Sequence, residues 1–131
     1  MTAPLVWAPP PKEEQDRLAA PVLRAALALV RSGWCRSASA VDASGRECLY
    51  PKQRPVAWSL YGAVAEHGGI EAEYARRVLR RLLFDHDLVA WNNFPTRKRG
   101  EVLALLERAV KVASGRAQHK GGWSVSAGVV Q

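Results

Sequence analysis

The side chains able to do covalent or metal chemistry are few and scattered. Cys35 follows Trp34, Cys48 lies well beyond it, and the histidines are His67, His86 and His119. A cysteine hydrolase needs a thiolate with a histidine in reach to take its proton. No sequence context pairs Cys35 with any of the three, so a buried structural cysteine is the favoured reading and a Cys35 hydrolase the remote one. Asp85-His86-Asp87 offers three metal-ligating types in a row. Consecutive residues on a helix point in different directions, so one ion would need further ligands from elsewhere. Polarity at a helix end is the simpler account, and no metal or cofactor is expected. Ser37, Ser39 and Ser44 lack a nucleophile-elbow setting, and no phosphate-cradling glycine pattern occurs.

Cations and aromatics offer more. Thr96-Arg97-Lys98-Arg99-Gly100 puts three cations at the start of the last helix, where the helix dipole prefers anions. From Trp91 onward seven Lys and Arg face two Glu, so five units of the net charge of +7 lie late in the chain. Such a patch suits phosphate. Arg97, Lys98 and Arg99, extended by Arg76, Arg77, Arg80 and Arg81, would neutralise a nucleic-acid backbone without reading bases. The plainer account is a solvated basic turn and a salt-bridged helix face. A second function is a protein-interaction module meeting an acidic protein surface, such as a phage-type regulator of a host protein. Its anchors would be exposed aromatics, Trp7, Phe84, Phe94 and Trp123.

The elements that must position these groups are mostly helical. A chain of 131 residues, 48% apolar and 24% charged, is the size of one domain with its own core. Two cysteines without a CxxC spacing indicate free thiols in a reducing cytoplasm. No stretch reaches the roughly 20 apolar residues of a membrane span, and no signal-peptide pattern opens the chain. Oligomeric state is not legible. The expected organisation is a proline-rich arm over residues 1–11, one helical domain over 12–113, and a Gly/Ser-containing tail over 114–131. Within the domain we expect a compact bundle of about four main helices, with a small hairpin or irregular insert between the first two.

Pro55 to Ala65 is apolar on nearly every side and reads as the buried central helix, with Pro55 at its first position. Val22 to Arg31 reads as a second apolar helix, which Pro21 separates or kinks from Lys12–Ala20. Ala38–Val41 and Cys48–Tyr50, around Asp42-Ala43-Ser44-Gly45, could pair as a hairpin. Ile70 to Ala90 is the clearest amphipathic helix, burying Tyr74, Val78, Leu79, Leu82 and Leu83. Glu73 is placed to pair with Arg76 or Arg77. Asn92-Asn93 reads as a turn pair, and Asn92 or a loop carbonyl could serve a buried indole N–H. The last helix, from about Glu101 to Ala113, buries Val102, Leu105, Leu106, Ala109 and Val110.

Four blocks also occur in a familiar order: Gly33-Trp34-Cys35, Ala57-Trp58-Ser59-Leu60-Tyr61-Gly62-Ala63, Trp91-Asn92, and Glu101-Val102-Leu103-Ala104-Leu105-Leu106. Together, over about residues 20–113, they resemble a family of small uncharacterised proteins found in bacteria and their phages. The resemblance implies a compact, mostly helical domain and supplies no catalytic residue. The chain departs from that family at Asn93, where similar proteins tend to have an acidic residue, and at Lys98, where they tend to have a helix-capping Thr.

Overall fold

The computed structural model describes residues 8–49 and 53–115, and five helices carry the fold. Trp7, Trp123 and His119 lie outside the described residues. The organising element is α1, Lys12–Ser32, rather than the stretch from Pro55. It packs most extensively against α5 and α3. Its stripe of Ala19, Val22, Leu23, Ala26 and Val30 is buried. Pro21 does not divide it. A proline inside a helix removes one hydrogen bond and costs about 3 kcal/mol. Burying a Val or Leu side chain returns about 1.5–3 kcal/mol each, so the stripe on either side of Pro21 outweighs that cost. Pro21 itself sits on the solvent face, where its ring displaces no core neighbour.

The expected central helix is divided in two. Ala57–Trp58 is a strand, β2, and only Leu60–Ala65 is helical, α2. Ser59 decides the boundary: its Oγ accepts from Gly62 N at 3.0 Å, an N-cap that starts the helix four residues after Pro55. β2 pairs antiparallel with β1, Ala40–Val41, in the register Ala40↔Trp58 and Val41↔Ala57. Trp34 bridges the other side of Trp58 in parallel. The expected hairpin is thus partly realised. Val41 bridges Glu47, and the Asp42 carboxylate accepts from Ser44 N and Arg46 N to hold the turn, but the ladder partner of β1 is β2. Gly33 and Gly62 permit this closeness. A Cβ on Gly33 would stand 2.1 Å from Val56 O, and one on Gly62 would stand 1.9 Å from Ser39 O.

The amphipathic helix is shorter than its periodicity. α3 runs Gly69–Leu82, burying Tyr74, Val78 and Leu79 while Leu82 only borders the core. The chain then turns through Phe84 (φ 53°) and Asp85 (φ 67°), and α4 starts afresh at Leu88–Asn93. Asp87 caps α4, its carboxylate accepting from Ala90 N at 2.8 Å. A short polar side chain at an N-cap competes with helix continuation, which periodicity cannot register. α5, Arg99–Ala113, buries Val102, Leu105, Leu106 and Ala109 as expected, with Val110 partly buried. No helix among the described residues is long and apolar enough to cross a membrane.

Candidate functional site

Two constellations meet around α4. The first is internal. Asn92 is 0% exposed and uses both of its polar atoms twice. Oδ1 accepts from Trp34 Nε1 at 2.7 Å and from Leu60 N, at the start of α2, at 3.0 Å. Nδ2 donates to Cys35 O at 3.2 Å and Asn93 Oδ1 at 3.0 Å. Two donors and two acceptor lone pairs are the whole capacity of an amide side chain, so Asn92 is saturated. It ties α4 to the first turn of α2 and to the segment after α1. Asn93 completes the knot by accepting from Ser37 N at 2.8 Å. The turn-pair reading is corrected, since Asn92 lies within α4, whereas the expected service of Asn92 to a buried indole N–H is found at Trp34. Trp58 differs, for its Nε1 is buried with no hydrogen-bond partner among the described residues.

The second constellation faces out. Phe84 is 90% exposed and Phe94 is 54% exposed. Both line one groove of about 510 Å³, with Leu82, Leu83 and Trp91 beneath them. Two consecutive left-handed residues, Phe84 and Asp85, set the first ring outward. Such backbone costs an L-residue with a bulky side chain roughly 1–3 kcal/mol. Arg97 holds the other wall. Its guanidinium lies 3.8 Å from the centre of the Trp91 ring, Nε donates to Trp91 O at 2.9 Å, and Nη1 stands 3.6 Å from Glu101. Two of the four aromatic anchors expected from sequence are therefore in one groove.

The seven expected phosphate contacts differ in how they are held. Arg76 donates from Nε and Nη2 to Glu73 and lies over Tyr61, while Arg77 meets Glu73 and Gln15. Arg81 pairs at 2.6 Å with Asp16, a buried carboxylate. Arg97, 18% exposed at its side chain, belongs to the groove wall. Arg80, Lys98 and Arg99 are exposed and have no ion pair among the described residues. Lys98 stands at the N-cap of α5, where its N–H donates to Glu101 at 2.9 Å. Its ammonium cannot accept in return, so only that half of a capping box forms.

The covalent candidates stay apart. Cys35 Sγ lies 3.5 Å from Ala38 O, and burial, with Cys48 and Glu47 nearby, pushes its thiol pKa up, away from a thiolate. His67 contacts Gly68 O, and His86 borders the aromatic groove. Of Asp85-His86-Asp87, Asp87 is the α4 cap, and no metal-holding group of three or more such side chains occurs among the described residues.

The model of a family of unknown function, DUF6197, matches residues 14–112. The chain belongs to that family. The match takes in α1 almost whole and nearly all of α5, and hence the Asn92 knot and the aromatic groove. No curated protein and no solved structure matches the chain. Sequence reasoning passed over Trp91, Leu82 and Leu83 as groove residues, having assigned them to the core or its edge. Asp87, an N-cap residue three positions before Ala90, was the available signal that α3 ends early and frees Phe84.

Proposed function

We propose that the domain is a non-catalytic binding module whose contact surface is the groove between Phe84 and Phe94. Its occupant is an acidic segment of a partner protein, with apolar anchors. The observation that carries this reading is Phe84: a large apolar ring held 90% exposed on two consecutive left-handed residues. A link that only joined α3 to α4 would be served by glycine at this position, without strain or an exposed ring. Charge supports the partner's character. Lys98 and Arg99 follow Phe94 closely in sequence and lack carboxylate partners among the described residues, so a partner's carboxylates suit them. The resemblance to bacterial and phage proteins makes a regulator that occludes a host protein, in the cytoplasm, the finer form of this reading.

The test compares proteins retained by the wild type and by a Phe84→Ser/Phe94→Ser variant of equal Tm. A retained protein is then purified and titrated against both, with tryptophan fluorescence as the signal. Binding of an acidic partner that the variant loses supports the groove. Identical retention and equal titration would overturn it.

A second reading, phosphate contact with nucleic acid, is favoured by Arg80, Lys98 and Arg99, the three of the seven expected cations that have no ion pair among the described residues. Binding to duplex and single-stranded oligonucleotides across a salt series tests it, with Lys98→Ser/Arg99→Ser beside the wild type. Arg97 is left intact because it holds Trp91. A steep salt slope that the variant reduces supports phosphate contact. Absence of binding at low salt removes this reading and leaves the first standing.

A further inference from the structure

A separate cavity, of about 320 Å³, lies between the first turn of α1 and the last turn of α3. Lys12, Arg77, Arg80 and Arg81 line it against two carboxylates, Asp16 and Asp85. We propose that this basin is a site for a phosphate group. It is independent of the aromatic groove, and only in its nucleic-acid form does it rest on the second reading above.

The argument begins with how the cations are held. Asp16 Oδ1 fixes Arg81 at 2.6 Å, and its Oδ2 lies 3.8 Å from Lys12. Gln15 Oε1 takes one Arg77 nitrogen at 3.0 Å, and Glu73 stands 3.6 Å from another. Each guanidinium offers five N–H donors in a planar fork, so these contacts orient Arg77 and Arg81 while leaving donors over. Arg80, between them on the helix, has no side-chain partner among the described residues. The basin thus holds two arginines already oriented, a third whose donors no described residue takes, and an excess of two positive charges.

Two of the carbonyls that would repel an anion at the end of α3 are hydrogen-bonded. Arg80 O accepts from Asp85 N at 2.8 Å, and Arg81 O accepts from Phe84 N at 3.3 Å. The left-handed turn that exposes Phe84 therefore also weakens the negative end of α3. Forked guanidinium donors match phosphate oxygens two at a time, which a lone ammonium does not. The volume admits a phosphate or pyrophosphate group with room to spare.

Two sources of phosphate are possible chemically, a free phosphate compound and a nucleic-acid backbone, and the experiment has an arm for each. Pyrophosphate and a single-stranded oligonucleotide are titrated calorimetrically into wild type, Arg80→Ala and Phe84→Ala at low salt. The expected result is pyrophosphate binding that Arg80→Ala weakens about tenfold or more, the loss of one charge-assisted contact, at unchanged Tm. Phe84→Ala should bind pyrophosphate as the wild type does, which keeps this result separate from failure of the groove. An oligonucleotide that displaces pyrophosphate assigns the backbone as the source, and one that does not assigns a free phosphate compound. No pyrophosphate binding, or equal binding by Arg80→Ala, overturns the basin. Oligonucleotide binding that ignores Arg80 removes only the nucleic-acid backbone as the source, while leaving the Lys98 and Arg99 contact in place.

Discussion

Asn92 and Phe94 are near neighbours in the chain and opposite in physics. The knot at Asn92 is polar, buried and saturated: every donor and acceptor of the amide is used, and each bond crosses to another segment or closes the adjacent turn. The groove at Phe84 and Phe94 is apolar and open, and one of its posts stands on unfavourable backbone. A buried polar group must be fully partnered, or the fold loses its desolvation energy without return. An exposed aromatic answers to no such requirement. The knot is thus explained by stability alone, whereas the groove, strained at Phe84, is not, which is the ground for proposing it as a contact surface.

The largest expected effect breaks the knot. Asn92→Ala would leave Trp34 Nε1, Leu60 N and Cys35 O without their partner inside the protein. With about 1–3 kcal/mol for each stranded group, partly relieved by water, a loss of about 3–5 kcal/mol is expected. Urea unfolding with an unchanged m-value reads it directly. Asn92→Asp keeps an acceptor for Trp34 Nε1 and Leu60 N but buries a charge against the oxygens of Cys35 and Asn93, so it should recover little. A loss below about 1 kcal/mol for Asn92→Ala would mean that the knot is replaceable by solvent.

Much of the fold was legible because it depends on pattern. The buried faces of α3 and α5 follow from the spacing of Tyr74, Val78 and Leu79, and of Val102, Leu105, Leu106 and Ala109. What sequence hid depends on competition between local and distant terms. Pro21 signals a break, but packing of α1 on two other long helices overrides it. Val56-Ala57-Trp58 looks like the first turn of an apolar helix, but Trp34 and β1 supply strand partners from far away. Of the site, Phe84 and Phe94 were legible as aromatics with no place in a buried stripe. The role of Arg97 was not, since a cation over Trp91 and bonded to its carbonyl looks, in sequence, like one more member of a basic run.

A middle-sized effect sharpens the contrast at Phe84. Phe84→Gly removes the Cβ from a left-handed backbone (φ 53°) and removes a ring that buries little. Relief of strain, less the extra freedom glycine gives the unfolded chain, should stabilise by about 0.5–1 kcal/mol. Thermal unfolding measures the gain as a rise in Tm, while titration with the partner should show weakened binding. Stability and binding moving in opposite directions is the signature of a residue kept for contact. A fall in Tm would instead make Phe84 a packing residue and remove the main support for the groove.

The smallest effect lies at Lys98, at the N-cap of α5. Lysine has no acceptor to offer the free N–H groups of the first turn, and its charge, like that of Arg99, opposes the helix dipole. Glu101 compensates in part by accepting from Lys98 N and standing 3.6 Å from Arg97. Lys98→Thr would add the missing acceptor and complete the capping box with Glu101, for about 0.5 kcal/mol, within reach of a denaturant midpoint measurement. The same variant removes one exposed cation close in sequence to Phe94. If the rim of the groove meets carboxylates, the better-capped protein should bind its acidic partner less well, and more so at low salt. If the variant is stabilised and binds as before, Lys98 lies outside the contact surface, and Arg99 alone carries the charge complementarity.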